Sequence, residues 1–280
     1  MQLHTINTGF FKLDGGAMFG VVPKVIWQKL NPADDKNLCT WAMRCLLVIT
    51  DDNRRILIDT GIGNKQSEKF FSFYDLHGND SLLGSLQQHG LQAEDITDVI
   101  LTHLHFDHVG GAVTRTEAGS LVPTFSNALY WTNEEHWAAA LQPNAREKAS
   151  FLSENILPLY EAGVLRFATD NGYIYPQISV KFVYGHTTAM MLPHIAYKNT
   201  TLVYCADLIP SAGHIKQAYV MGYDMQPLVT LAEKQQFTAR AAQEKHILFF
   251  EHDPHTEAAM VSMSDKGDFA IARRFDLKDY

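Results

Sequence analysis

Thr102-His103-Leu104-His105-Phe106-Asp107-His108-Val109-Gly110-Gly111 sets three imidazoles and one carboxylate within six positions, directly after the apolar run Val99-Ile100-Leu101. Asp98 to Thr102 reads as a buried strand, so the cluster stands where a strand ends. His103 and His105 are two apart. In extended backbone they point to the same side and can grip one metal ion, while Asp107 and His108 follow as the chain turns and can reach a second. Nitrogen and oxygen donors of this kind suit zinc, and also manganese, iron or cobalt. Surface or core histidines that merely happen to be neighbours would leave this density without a purpose.

Working outward, the first quarter is β-rich. Residues 3–11 and 17–26 read as strands around an Asp14-Gly15-Gly16 turn, and 42–50 and 54–59 as another pair around Asp51-Asp52-Asn53. The second pair ends in Asp59-Thr60-Gly61-Ile62-Gly63, a glycine-containing turn after an apolar strand. From Ser81, the spacing of Leu82, Leu83 and Leu86 with Gly90 beyond them predicts a short helix with a glycine cap. Residues 133–162 read as mostly helical, with strands near 164–168 and 178–184. A strand from Thr201 to Cys205 leads into Asp207. A helix is expected over 227–243, and the strand His246 to Phe250 stops at Glu251-His252-Asp253. No Pro-, Gly- or Ser-rich linker and no repeat interrupts this alternation, which argues for an α/β class in a single domain, 1–280.

Composition narrows the partners. With 280 residues, 46% of them hydrophobic, the chain can bury a sizeable core. A formal charge of −8 with no run of Lys or Arg gives no attraction for phosphate backbones, so neither nucleic acid nor a membrane surface is an expected partner. Cys39, Cys45 and Cys205 are odd in number and show no C-x-x-C spacing. They read as buried free thiols in a reducing compartment. The opening MQLHTINTGFFKLDGG lacks a basic segment followed by a long apolar stretch, and no apolar run reaches a membrane span, so a cytoplasmic protein is expected. The chain has no G-x-S-x-G elbow, and Cys205 fits a buried strand position better than a nucleophile.

His-x-His-x-Asp-His after a strand resembles the signature of the metallo-β-lactamase superfamily, and the further motifs of that family have counterparts here in order. Asp59-Thr60-Gly61 resembles its early aspartate motif, Gly185-His186-Thr187 its third motif, Asp207 its bridging aspartate and His252 its last ligand. The resemblance covers essentially the whole chain. It implies a four-layered αββα sandwich of two mixed β-sheets flanked by helices. It further implies that His103, His105 and His186 bind one divalent ion, that Asp107, His108 and His252 bind the other, and that Asp207 bridges both. Zinc is the first expectation for the two ions. Each later ligand follows an apolar run: VKFVYG before His186, TLVYCA before Asp207, ILFFE before His252. Asp107 and Asp207 are the expected catalytic carboxylates, orienting a hydroxide shared by the two ions, while Asp59 is expected to orient the ligands or the turn.

Within the superfamily, the oxygen-reducing flavoprotein branch usually carries a carboxylate where this chain has His105, which favours hydrolysis. The nuclease branches bring extra domains or basic surfaces that are absent here. GGAMFGVVPK, ADLIPSAGHI and VMGYDMQP resemble the N-acyl homoserine lactonase and organophosphate hydrolase branch. The chain departs from it at Pro210, where lactonases have a tyrosine three residues after the bridging aspartate; His214, Tyr219 and Tyr223 are the candidate proton donors instead. It departs also at Thr188-Ala189-Met190-Met191, where a small-residue pair containing glycine is usual. Met18, Phe19, Phe71, Phe73 and Phe106 are candidates for an apolar wall, or for plain core. The implied function is hydrolysis of a lactone or other ester-like bond in a small molecule, with acyl homoserine lactone the first to test. A phosphotriester or thioester hydrolase is the alternative; an oxygenase or oxygen reductase, or a non-catalytic metal-binding module, ranks below. A homodimer is left open.

Overall fold

The computed structural model describes residues 1–280. Contacts divide the chain into two compact units, Met1–Gly9 with Met43–Thr169, and Phe10–Ala42 with Asp170–Tyr280. No helix is long and apolar enough to cross a membrane.

The first unit is built on a six-stranded sheet. Its strands are β1 (Gln2–Asp14) as far as Gly9, β2 (Leu38–Ile49) from Met43 on, β3 (Arg55–Ile58) and β4 (Asp98–Ile100), then, beyond the hairpin β5 (Val113–Arg115) and β6 (Leu121–Pro123), β7 (Leu129–Thr132) and β8 (Leu165–Phe167). The order is β1-β2-β3-β4-β7-β8. β2 and β3 pair antiparallel, and β3, β4, β7 and β8 run parallel. Parallel strands are covered on both faces, which is why β3 and β4 are continuous apolar runs rather than alternating ones. Leu57, Val99, Leu101, Val109, Tyr130 and Leu159 share one buried core. Asp98, buried at the start of β4, is held by the Arg54 guanidinium and by the Trp131 Nε1–H at 3.0 Å. Because β3 and β4 lie side by side in parallel, they deliver Asp59 and Thr102 together at their carboxyl ends, where α/β sheets place their chemistry.

The second unit carries a seven-stranded sheet made of β9 (Tyr173–Tyr175), β10 (Ile178–Val183), β11 (Met190–Tyr197), β12 (Thr200–Tyr204), β13 (Ile247–Phe249), β14 (Ala258–Met263) and β15 (Phe269–Phe275). They lie in sequence order, and only β12 and β13 are parallel. A parallel neighbour needs a long crossover, and the helix Pro227–Glu244 supplies it. His186, Asp207 and His252 follow β10, β12 and β13 respectively.

Two mixed sheets with helices meet the α/β expectation, and the helix expected over 227–243 differs by one residue. One local expectation fails. β1 continues unbroken to Asp14, and residues 17–26 form no strand: the Asp14 carboxylate caps a helix, Gly15–Phe19, by accepting from the Ala17 N–H at 2.8 Å, and Lys24–Trp27 is a second short helix. An aspartate before two glycines serves a helix cap as well as a hairpin turn. Gly15 is there for close packing, since a Cβ would lie 2.3 Å from the Trp27 ring. Residues 133–162 are mostly helical as expected, in the helices Glu134–Leu141 and Ser153–Glu161, which are separated where Pro143 turns the chain away after Gln142.

Candidate metal centre

In the first unit the segment that carries His103, His105, Asp107 and His108 is fixed by the chain's own hydrogen bonds. Asp59 is fully buried and holds φ +58°, a left-handed conformation costing about 1–2 kcal/mol in a residue with a Cβ. Its carboxylate offsets that cost. It accepts from the Thr102 N–H at 2.8 Å, from the Thr102 hydroxyl at 2.7 Å and from the His108 Nδ1–H at 3.0 Å. Thr60 adds two bonds to the His108 carbonyl, and Gly63 lets the turn press against Gly110, where a Cβ on Gly63 would lie 2.5 Å from the Gly110 oxygen. Asp107 and His108 sit on the one-turn helix Phe106–Val109. The ligand atoms of His103 and His105 lie within 4.8 Å of each other, and Asp107 Oδ2 is 3.8 Å from His108 Nε2.

In the second unit, His186 Nδ1 donates to Asp224 Oδ1 at 2.9 Å, and His252 Nδ1 donates to the Ala42 carbonyl at 2.8 Å. Asp207 offers one oxygen to each ring: Oδ2 is 3.0 Å from His186 Nε2 and Oδ1 is 3.2 Å from His252 Nε2. Ala206 and Ala189 hold φ of +43° and +53°, so strain brackets this half as well. Ala189 holds a left-handed backbone, a conformation that glycine adopts without a Cβ penalty.

The donor chemistry fits divalent cations. A carbonyl can only accept, so His252 carries its proton on Nδ1; carboxylates impose the same on His108 and His186. Thr102 gives its hydroxyl proton to Asp59 and so accepts from His103 Nδ1 at 3.1 Å. In all four rings Nδ1 is thereby a protonated nitrogen, and Nε2 is the one left to face an ion. Burial pushes the His186 imidazolium down, yet Asp207 and Asp224 outweigh it and raise its pKa to about 10. Two buried carboxylates around one imidazole call for positive charge, which a divalent ion provides.

Sequence reasoning missed several residues here. Asp224, 38 positions after His186, stood within VMGYDMQP and carried no spacing signal. His136, buried, accepts the Leu104 N–H at 2.8 Å and so steadies the turn between His103 and His105. Glu147, also buried, lies 3.8 Å from His105 Nε2. Among the candidate donors, His214 is locked: Ser211 Oγ–H donates to Nδ1 at 2.7 Å, Nε2–H donates to the Met18 carbonyl at 2.9 Å, and burial pushes its pKa down to about 3. Tyr219 is half-buried and meets Phe19 edge-on, whereas Tyr223 is exposed. Of the candidate wall, Met18 and Phe19 are core, Phe19 stacking on Trp27 and His214. Phe106 packs edge-on to Phe70, Phe71 is half-buried and Phe73 is exposed. Cys205 is buried and its thiol is pushed far up by burial, which keeps it protonated and unreactive.

A family model described as the metallo-beta-lactamase superfamily matches residues 44–265. A probable metal-dependent hydrolase from Staphylococcus aureus is similar in structure with a TM-score of 0.88 and 29% identity, over 98% of this chain and 96% of that one. AidC, a dizinc quorum-quenching lactonase, superimposes with a TM-score of 0.78 at 22% identity, over 98% and 94% of the two chains, a likeness of fold. N-acyl homoserine lactonase AiiA of Bacillus thuringiensis subsp. kurstaki is 24% identical over 81% of this chain and 86% of its own length.

Proposed function

Because the chain belongs to the metallo-β-lactamase superfamily, we propose that it is a binuclear metal-dependent hydrolase that opens a lactone or cleaves a similar ester-like bond in a small molecule. The observation that carries this reading is the Asp207 carboxylate, whose two oxygens face the Nε2 atoms of His186 and His252. A carboxylate turned toward two separate nitrogen donors is what a bridging ligand requires. On this reading His103, His105 and His186 hold one ion, and Asp107, His108 and His252 the other. Residues 1–280 then act as a single domain, since both ligand sets are needed.

Two divalent ions, zinc first among them, supply an acidified water as nucleophile and Lewis-acid polarisation of the scissile carbonyl. The chain's own groups do the rest. Asp107 and Asp207 orient the attacking water and hold its proton, and the Asp59–His108 and Asp224–His186 pairs keep the rings in one tautomer. Ring opening forms one bond from water oxygen to the acyl carbon, breaks the bond to the ring oxygen, and leaves an alkoxide needing a proton. With His214 locked, Tyr219 and Tyr223 remain the candidate donors. The likeness to named lactonases supports acyl homoserine lactone as the first substrate. The buried free thiols support a cytoplasmic setting.

Zinc-loaded protein assayed on a panel of acyl homoserine lactones, carboxylic esters, thioesters and phosphotriesters tests the reading. The largest kcat/KM is expected on a lactone. Preference for a phosphotriester or thioester would move the assignment to the alternative, and inertness on all four classes would remove it.

A further inference from the structure

Helix Pro227–Glu244 carries two adjacent residues of opposite charge whose hydrogen bonds go to backbone on either side of the His186–Asp224 pair. Lys234 is fully buried, and its Nζ donates to the carbonyls of Lys216 at 2.6 Å, Tyr219 at 2.8 Å and Gln217 at 3.5 Å. An ammonium has three donors, and all three go to a single loop. Glu233 accepts the Tyr184 N–H on Oε1 at 2.8 Å and the Gly185 N–H on Oε2 at 3.0 Å.

The two segments so held are joined to each other. Gln226 N donates to the Gly185 carbonyl at 2.8 Å and Met225 N to the His186 carbonyl at 3.0 Å, beside the Nδ1 to Oδ1 bond of His186 and Asp224. Gly185 sits so tightly on the helix that a Cβ there would lie 2.2 Å from Thr230 Oγ1. A lysine in a core position is expensive, since burial disfavours its charge, and an apolar side chain would fill the same space without that penalty. Burial does push the Lys234 pKa down, to about 7, with the charge of Asp224 opposing. Packing alone therefore gives no reason for a lysine here.

We propose that Glu233 and Lys234 are positioning residues for the metal centre: Glu233 fixes the chain that presents His186, Lys234 fixes the loop that presents Asp224, and the shared helix sets the distance between them. This rests on the reading of His186 as a metal ligand. Neither residue touches substrate or ion; both act through the Asp224–His186 bond.

The test uses the full chain with zinc, reading zinc affinity by competition with a chromophoric chelator, the visible bands of cobalt-loaded protein, and the thermal midpoint. Glu233→Gln keeps one acceptor oxygen and loses the other. It is expected to weaken zinc binding about tenfold, the lower end of what loss of an outer partner does, and to shift the cobalt bands with little change in thermal midpoint. Lys234→Met is expected to do the same, with Lys234→Arg restoring part of the affinity. Wild-type zinc affinity and unchanged cobalt bands in Glu233→Gln would overturn the proposal, and that half-buried position decides alone if Lys234→Met does not fold. Should the wild type take up no zinc, the functional reading fails instead. The clamp is then read from the His186 Nδ1–H proton resonance, which the variants lose if the clamp exists and keep if it does not.

Discussion

Asp59 satisfies three donors with one carboxylate while holding a left-handed backbone, so its removal releases both a ring and a turn. Asp59→Asn keeps the shape but substitutes a donor for one acceptor; a fall in zinc affinity of about tenfold to a hundredfold is expected by chelator competition, and an unchanged affinity would show that His108 needs no such partner. At Asp207 the expectation is larger. Asp207→Ala should lower kcat by about three orders of magnitude or more, whereas Cys205→Ser, two residues earlier and walled in, should mainly affect stability. A trapped acyl adduct on Cys205, or near-normal turnover by Asp207→Ala with its metals retained, would contradict this. His214 gives a pH signature. Its folded pKa, about 3, lies below the ordinary 6.5, so between those values the unfolded chain binds a proton that the folded chain refuses. Its contribution is whole above pH 6.5 and lost as pH falls toward 3, at up to about 1.4 kcal/mol per unit. The gap in urea midpoint between wild type and His214→Gln should therefore narrow from pH 8 to 5; a constant gap would mean that His214 titrates normally. The positions of His103, His186, Asp207 and His252 were legible because each stands just after an apolar run, a one-dimensional signal. Asp224 and Glu147 were not, because their partners are brought to them only by the folded chain.

At the scale of elements, turns rather than strands decide where the chemistry sits. β3 and β4 place their ends together, and the turns after them close glycine against backbone: a Cβ on Gly110 would lie 2.0 Å from the Ile62 carbonyl oxygen. Gly110 has an ordinary helical φ, so its need is for space rather than for conformational freedom. Gly110→Ala is expected to force the Asp59–Gly63 turn away from the Phe106–Val109 helix, costing about 1–3 kcal/mol of stability as an overpacked site does, with zinc affinity falling in step. Retained stability and affinity, measured by denaturant unfolding and chelator competition, would show that the turns can separate freely. Periodicity made the long helix Pro227–Glu244 and the buried strands readable, since each repeats one pattern over many residues. It failed at Asp14-Gly15-Gly16, where one tripeptide suits both a hairpin turn and a capped helix, and Gly15 packs against the Trp27 ring, a contact the tripeptide does not reveal.

For the molecule as a whole, one compact unit holds His103, His105, Asp107 and His108 and the other holds His186, Asp207 and His252. The family could be read from the sequence because these residues keep their order along the chain; the substrate could not, because it depends on side chains whose neighbours the order does not specify. Ions that bind the folded chain and not the unfolded one must stabilise it, so the account ties metal, fold and turnover together. The direct test is to strip the protein with a chelator and add zinc back while following hydrolysis of an acyl homoserine lactone. The account predicts no turnover in the stripped protein and a linear return that levels off at about two ions per chain, the number that seven nitrogen and oxygen donors require. Turnover that survives complete removal of metal, or that reaches its plateau at one ion, would contradict it.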